Sequence, residues 1–257
     1  MKKIRLIAGI LVAALGTAGT AGARELSVGL ASAPTSMDPH VQNFWPNNSM
    51  ASHIFDGLVH QDENQHLRPG LAVAWKAVDG TTWEFRLREG VKFHDGSPFT
   101  ADDVIFSFER ASRIGSGPSG FSSYTRGKKL TKVDDHTLRI MTERPEPLMP
   151  RIVSAIRIVS DEIGTKSGSS DFNAGVAAIG TGPYRFVKFV PGDRIVLERN
   201  EAYWGNKPEW TEVTLKIIDS AASRISALLS GDVDIIEEPP VADIGKFKLL
   251  SDRPQIN

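Results

Sequence analysis

Alternating apolar and polar residues mark several short strands along the chain. At residues 83–87, Trp83, Phe85 and Leu87 alternate with charged side chains, which is the pattern of a strand with one buried face and one wet face. Similar runs, bounded by glycine or proline, predict strands at residues 24–29, 137–141, 184–189, 195–199, 213–218 and 233–236. Residues 91–93, which follow the turn residue Gly90, are expected to return as the second strand of a hairpin.

Helical spacing predicts three helices between these strands. Thr100 caps the clearest one, with Asp102 and Asp103 in its first turn, and this helix runs through residue 111. A second helix is expected to begin at residue 48 or 49, and a third at residue 219 or 220 and to end at Gly231. The apolar positions expected to face inward are Met50, Ile54 and Leu58 in the second helix and Ala222, Ile225 and Leu228 in the third. Strands and helices in irregular order indicate mixed α/β or α+β packing.

The first 23 residues have the pattern of a secretory signal peptide. Lys2, Lys3 and Arg5 precede an uncharged run from residue 6 to residue 22, and Ala-Gly-Ala at residues 21–23 fits a cleavage site. The run is shorter and richer in alanine and glycine than a membrane span, which needs roughly 20 mostly apolar residues, and an uncleaved anchor is the alternative. The mature chain is therefore expected to begin at Arg24 and, because the sequence has no cysteine to acylate, to carry no lipid anchor.

Charge and composition narrow the classes of function. Without the leader, the 30 basic side chains fall to 27 against 31 acidic ones, a net charge of −4. A mildly acidic chain without a basic block gives no reason to expect nucleic acid or anionic lipid as a partner. The lack of cysteine excludes disulfides, thiolate metal sites and a catalytic thiol.

The sequence contains no complete set of catalytic or cofactor-binding motifs. Residues 115–120 match G-x-G-x-x-G, but a helix precedes them and Pro118 removes an amide, so a flexible loop is expected there. His94 and Asp95 are adjacent on extended backbone and point to opposite faces, so Asp95-Gly96 is interpreted as a turn. No histidine has metal-ligand spacing, and no cofactor or metal is expected. The competing hypothesis is a secreted hydrolase that uses carboxylates such as Asp95 and Asp134 as acid and base.

Eight short segments resemble one family, and they occur in that family's order. They are Ser36-Met37-Asp38-Pro39, Ile54-Phe55-Asp56-Gly57-Leu58-Val59, residues 68–72 with Trp75, residues 85–96, residues 99–104, Gly180-Thr181-Gly182-Pro183-Tyr184, residues 199–205 and Gly231-Asp232-Val233-Asp234-Ile235. The family is extracellular solute-binding protein family 5, the peptide-, dipeptide- and nickel-type binding proteins of ABC importers. Each segment is short, but eight in order make the resemblance specific.

The resemblance implies a type II periplasmic binding protein fold, a clamshell whose two lobes close over a ligand by hinge motion. Residues 24–45 and 177–257 are then expected to form the first lobe, discontinuous and incomplete, and residues 46–176 a subdomain inserted into it. Family members are usually far longer, so most of the second lobe is expected to follow residue 257. A fragment that folds incompletely and has no function is a further alternative.

The resemblance also implies which residues form the ligand wall. The matching positions are Asn43, Phe44 and Trp45 after the Asp38-Pro39 turn, Phe121 and Tyr124 after the Thr100 helix, and Glu237 and Glu238 at the mouth between the lobes. Phe44 and Trp45 have a buried core staple as their alternative, and Tyr124 a place in a surface loop. The two glutamates have solvated rim charges as theirs, although a cationic amine on the ligand would give them a partner.

The implied function is the periplasmic component of an ABC importer. It would capture oligopeptides, dipeptides or similar small solutes and deliver them, without catalysis, to permease subunits in the inner membrane. The protein is expected to be a monomer in the periplasm that binds no nucleic acid. Peptides, glutathione-like molecules, nickel chelates and some sugars all remain open as ligands, because much of the discriminating surface would belong to the second lobe.

Overall fold

The computed structural model describes residues 24–114 and 120–244. The predicted signal peptide and most of the predicted loop at residues 115–120 lie outside the described residues. The strands are β1 (Glu25–Leu30), β2 (Val59–Gln61), β3 (Leu67–Pro69), β4 (Ala72–Ala77), β5 (Thr82–Leu87), β6 (Lys128–Asp134), β7 (Thr137–Thr142), β8 (Tyr184–Val190), β9 (Arg194–Arg199), β10 (Glu212–Ile217) and β11 (Ile235–Ile236). The helices are α1 (Trp45–Ile54), α2 (Ala101–Arg113), α3 (Ser122–Thr125), α4 (Met149–Val153), α5 (Asp161–Lys166), α6 (Ser169–Asn173) and α7 (Ala221–Ser230).

A five-stranded mixed sheet has the strand order β11-β1-β10-β9-β8. β1 lies between β10 and β11 and is parallel to both, with Val28 opposite Leu215 on one side and Ile235 on the other. β9 and β8 continue the sheet in antiparallel pairing. Side chains of α1, including Met50 and Ile54, share a buried cluster with inward residues of β9 and β10. Burial of this apolar surface fixes the helix on the sheet.

A second, four-stranded antiparallel sheet has the order β4-β5-β7-β6. Phe85 of β5 and Leu138 of β7 are opposite each other in register and are fully buried. They share a hydrophobic cluster with Val104 and Phe108 from the apolar face of α2. The alternation seen in the sequence around β5 therefore separates a core face from a charged face on which Glu84 pairs with Arg139.

The cap predicted for α2 is confirmed. Thr100 has extended backbone, its hydroxyl accepts a hydrogen bond from the Asp102 N–H, and the Asp103 carboxylate accepts one from the Thr100 N–H, which completes a capping box. The last helix, α7, is also bounded as expected. Ser220 caps its start, and Gly231 ends it in the left-handed conformation at φ 81°.

Three local predictions are wrong. Helix α1 begins at Trp45 because Pro46 suits the first turn, and it ends at Ile54, so Leu58 lies outside it. Residues 91–93 do not return along the strand before Gly90, because they pair instead with residues 97–99, which form only an isolated bridge. The buried residue of α7 is Arg224, whereas Ala222 is exposed. Strands β2, β3, β4 and β6 were not predicted.

The two sheets have separate hydrophobic cores. The cluster under the five-stranded sheet contains Met50, Ile54 and Phe55, and the cluster under the four-stranded sheet begins at Leu58. The division expected at residues 45 and 46 would fall inside α1; it stays a prediction, and the packing favours a boundary just after Phe55. Across the two described ranges, none of the helices has the length and apolar character that crossing a membrane requires.

Candidate functional site

Three parallel strands end at one edge of the five-stranded sheet. Because β1, β10 and β11 run in the same direction, the segments that follow them emerge together. We call these segments, residues 31–45, 218–220 and 237–240, the strand-end rim. In open α/β sheets, ligands bind at the carboxyl ends of parallel strands, where the connections diverge. The rim is thus the place where the topology favours a ligand.

Arg224 holds two parts of the rim together. Its guanidinium donates to the carbonyl oxygens of Ile218 (2.7 Å) and Asp219 (2.9 Å), which follow β10. It also donates to the carbonyl oxygens of Glu237 (3.0 Å) and Glu238 (3.3 Å), which follow β11. The side chain is only 3% exposed, so these four bonds satisfy a buried cation through backbone dipoles. Strand ends β10 and β11 are therefore fixed relative to each other.

Glu237 and Glu238 have different environments. The Glu237 carboxylate accepts a hydrogen bond from the Ala31 N–H at 3.1 Å, and the Glu237 N–H donates to the Gly29 carbonyl at 2.9 Å. Glu237 therefore also stabilises the end of β1. Glu238 is exposed and has a positive φ of 46°, an unusual conformation for this residue type. Its carboxylate remains at the surface of the rim.

Phe44 and Trp45 stand exposed at the start of α1. Phe44 is the residue before the helix and is 45% exposed, and Trp45 is 70% exposed. The alternative of a buried core staple is therefore wrong. Large aromatic side chains so open to solvent are candidates for contact with a ligand or with another part of the protein.

Asn43 and Tyr124 meet although 81 residues separate them in the chain. The Asn43 amide donates to the Tyr124 hydroxyl at 3.4 Å, and it accepts from the Asn48 amide at 2.7 Å. Tyr124 lies in α3 and is half-buried, with its ring 6.3 Å from that of Phe121. Phe121 itself is 1% exposed within the core of the four-stranded sheet, so it can position Tyr124 but does not face solvent.

A cavity of about 160 Å³ extends inward from the rim, between α1 and the face of β1 and β10. Pro46 and Glu237 both line it, so the start of α1 and the end of β11 lie around one space. His53 and Tyr184 line it as well, with ring centroids 6.0 Å apart, and burial lowers the pKa of His53. The sequence reasoning missed these two residues, although His53 lies on the α1 face that also carries Ser49 and Met50.

Asp38, from the first family segment, lies in a buried network. Both its oxygens accept from Arg110 of α2, at 2.8 and 2.7 Å, and Ser169 donates to it at 2.7 Å. The His40 N–H also donates to Asp38, at 3.0 Å. Burial raises the pKa of Asp38, but the hydrogen bonds and charge of Arg110 outweigh burial, and the net shift is downward. Asp38 therefore joins the start of the rim to α2.

Asp56 joins its own family segment to two others. It accepts from the Thr181 hydroxyl at 3.0 Å, from the Trp204 indole at 2.8 Å and from the Tyr203 hydroxyl at 3.3 Å. Burial, followed by the Asp56 charge, raises the pKa of Tyr203 above its ordinary range. These contacts hold together segments separated by more than a hundred residues.

His94 packs against the glycine segment before β8. Its Nε2 lies 3.0 Å from the Gly182 carbonyl, and its Nδ1 accepts from the Gly180 N–H at 3.3 Å. The neighbours therefore fix a neutral imidazole with the proton on Nε2. A Cβ on Gly180 or Gly182 would overlap the Ile54 carbonyl, so this close passage of two chains requires glycine.

The carboxylates named in the hydrolase hypothesis stabilise turns. Asp95 accepts from the Ser97 N–H at 3.0 Å and from its hydroxyl at 2.7 Å. Asp134 accepts from the His136 N–H at 2.8 Å. Within residues 24–114 and 120–244, no three His, Asp or Glu side chains are placed so that they could hold a metal ion.

Solved structures of periplasmic binding proteins have this fold. DppA of Helicobacter pylori, solved with the peptide STSA, superposes with a TM-score of 0.77 at 24% identity, over 88% of this chain and 48% of that one. The mixed α/β fold is that of a lobe region of a periplasmic binding protein, as the sequence predicted.

The sequence comparisons identify the family. Residues 66–256 match "Bacterial extracellular solute-binding proteins, family 5 Middle", and the chain belongs to this family. It is 31% identical over 236 residues to the probable D,D-dipeptide-binding periplasmic protein DdpA of Escherichia coli, covering 87% of this chain and 45% of that protein. It is 30% identical over 266 residues to the periplasmic oligopeptide-binding protein OppA of Salmonella typhimurium, covering 91% and 49%. The chain spans about half the length of the curated relatives it matches.

Proposed function

We propose that this chain is part of the solute-binding component of an ABC importer and that its solute is a peptide or a similar small molecule. Two named relatives bind dipeptides or oligopeptides, which supports a ligand of this class. The observation that carries the proposal is the rim itself, where Phe44 and Trp45 are exposed next to the ends of three parallel strands. No catalytic step is proposed.

The chemistry of the rim suits a peptide-like ligand. The exposed rings of Phe44 and Trp45 can pack against apolar side chains, and the Asn43 amide and Tyr124 hydroxyl can bond a peptide backbone. Glu238 offers an exposed carboxylate to an ammonium group. We assign Phe121 an indirect role, in which it positions Tyr124. Closure of a second lobe over this wall would exclude water and so strengthen every polar contact.

The remaining proposals concern the whole protein. We propose that residues 1–23 direct export to the periplasm, that no lipid anchor follows, and that the receptor acts as a monomer which delivers its solute to inner-membrane permease subunits. Residues 24–45 and 177–257 would form the first lobe, with α1 added to it by its packing on the five-stranded sheet. Named relatives are periplasmic, which supports this location.

The test is a titration of the purified protein that contains this chain with candidate ligands. Isothermal titration calorimetry is performed with mixed tripeptides, and with a nickel–histidine chelate as the competing ligand class. We expect saturable binding of peptide, and at least about a tenfold loss in Trp45→Ala, which corresponds to about 1.4 kcal/mol. Trp210→Phe is the control, because Trp210 precedes β10 at the opposite edge of the sheet and contacts Arg24.

Two outcomes would count against the proposal. Binding of the nickel chelate without binding of peptide would replace the ligand class. Equal peptide binding by the parent protein and Trp45→Ala would show that the rim is not the wall of the site.

A further inference from the structure

A second, polar pocket lies away from the strand-end rim. It has a volume of about 270 Å³, just below the roughly 300–1,000 Å³ that is usual for small-molecule sites. It is open to solvent and lies between the second half of α1, strand β2 and the segment after α4. The residues that line it are Ser52, Val59, His60, Gln61, Ser154 and Arg157.

Arg157 is the unusual residue of this pocket. Among the residues that the structure describes, its guanidinium has no hydrogen bond or ion pair. The other arginines in buried surroundings are fully engaged: Arg110 binds the Asp38 carboxylate with two bonds, and Arg224 binds four carbonyl oxygens. A guanidinium has five N–H donors, and those of Arg157 are not sealed in the core but reach the open pocket, where a ligand can accept from them.

The charge of Asp56 acts on Arg157, but the Asp56 oxygens are already occupied. They accept from Thr181, Trp204 and Tyr203, and His60 Nε2 lies 3.4 Å from Oδ1 on a further side. Asp56 still acts through space: burial lowers the pKa of Arg157, and the Asp56 charge raises it. The donors of Arg157 are therefore left facing the pocket with a charge that no direct partner neutralises.

The remaining lining favours an acceptor ligand. One N–H of the Gln61 amide donates to Ser154 Oγ at 2.7 Å, which leaves the other N–H of that amide free to donate. The Ser154 hydroxyl donates to the Arg151 carbonyl at 2.7 Å, so it holds Gln61 in place. Arg157 is also fixed by its backbone, which pairs with Gly57 and accepts from His40 Nε2 at 2.8 Å. The Gln61 amide is thus held at the pocket, and the fixed Arg157 backbone places an unpaired guanidinium beside a space that can hold a small ion.

We propose that this pocket binds a small oxyanion, a carboxylate or phosphate group, through the guanidinium of Arg157 and the amide of Gln61. Planar guanidinium groups match the two oxygens of such groups with parallel hydrogen bonds. The site is separate from the strand-end rim, and its occupation does not depend on the proposed peptide ligand.

The test uses the purified protein without peptide, titrated with sodium phosphate and with sodium acetate in separate calorimetric experiments. Sodium chloride is adjusted to keep the ionic strength constant. We expect saturable binding of at least one oxyanion, weakened about tenfold or more in Arg157→Met. Arg151→Met is the matched control, because Arg151 is an exposed neighbour bonded to Gln65 outside the pocket, and its binding should stay within about twofold of the parent protein.

A second variant keeps the test decisive if Arg157→Met does not fold. Gln61→Glu places a carboxylate on an exposed position beside Arg157 and should abolish oxyanion binding by supplying an internal partner. Equal heats from phosphate, acetate and chloride in the parent protein would overturn the proposal, as would unchanged oxyanion binding in Gln61→Glu.

Discussion

Buried neutral histidines should make this fold lose stability in mild acid, and His94 is the best place to measure the effect. Its two ring nitrogens are both used, one towards the Gly182 carbonyl and the other accepting from the Gly180 N–H. A proton on Nδ1 would place two N–H groups against each other. Burial, with a smaller effect of the Arg185 charge, lowers the pKa of His94 from 6.5 to about 4.

The sign follows from the two states. Below the unfolded pKa of 6.5, the unfolded chain binds a proton at His94 that the folded chain does not bind. The stability contributed by neutral His94 is therefore fully present above that pH and is lost as the pH falls towards 4. At 1.36 kcal/mol for each pKa unit, His94 costs about 2 kcal/mol at about pH 5 and about 3 kcal/mol at about pH 4. His40 has the same arrangement between Arg157 and Arg110, and burial lowers its pKa to about 4 as well.

Asp103 changes the stability of the fold with pH in the opposite direction. Burial, followed by the nearby Asp161, raises its pKa from 3.8 to about 6, so its contribution is complete below 3.8 and is lost as the pH rises through about 6. As the pH falls, the stability gained at Asp103 therefore offsets about the stability lost at one histidine. The two histidines together outweigh it, so these three groups alone predict a net loss of about 2–4 kcal/mol between about pH 6.5 and about pH 4.

The assay is urea unfolding, followed by tryptophan fluorescence at a series of pH values. His94→Gln should be less stable than the parent at about pH 7.5, but between about pH 6.5 and about pH 5 it should lose about 1.6 kcal/mol less. Gly80→Ala, at an exposed residue that does not titrate, should follow the parent curve. If the pH dependence of His94→Gln runs parallel to that of the parent, then His94 is not the buried neutral group that its contacts indicate.

Three further variants test the packing of the fold by unfolding free energies. Gly180→Ala should cost about 3 kcal/mol or more, because the new methyl group overlaps a backbone carbonyl. Gly80→Ala, whose methyl group meets nothing within 4 Å, should change stability by about 0.5 kcal/mol or less. Similar values for both variants would refute the close passage of the two chains at Gly180. Arg110→Met should cost about 3–5 kcal/mol by leaving the Asp38 carboxylate buried and unpaired, and a loss below about 1 kcal/mol would contradict that account. Thr100→Ala should cost about 1 kcal/mol through the lost cap of α2, and an unchanged stability would show that the cap is not used.

The sequence allowed much of the fold to be predicted where a local rule governs the structure. Thr100 and Gly231 act within one turn of their own helices, so their roles follow from residue type. The strand around Phe85 buries alternate residues, so its sequence pattern predicts it equally well. β6 could not be recognised, because all its residues are exposed or half-buried at the edge of its sheet and carry no apolar alternation.

The candidate site was harder to predict because its contacts are not local. Glu237 bonds the Ala31 N–H across 206 residues, and nothing near Glu237 in the sequence indicates that partner. Arg224 occupies a position where helical spacing predicts a surface residue, yet it is buried by carbonyl groups that only the parallel strand ends bring together. The family resemblance selected the segments at the rim, but it did not separate the exposed Trp45 from the buried Phe121.

The polar residues of the family segments explain why the fold was easier to predict than the candidate site. Asp38, Asp56 and His94 are the polar residues of three such segments, and each is buried against partners from a distant part of the chain. Replacing any one of them leaves donors or acceptors unsatisfied in the core, which costs the fold directly, whatever the ligand. These three segments therefore hold distant parts of the fold together, whereas the side chains of Trp45 and Glu238 at the rim face solvent. The sequence therefore indicates the fold more directly than it indicates the ligand.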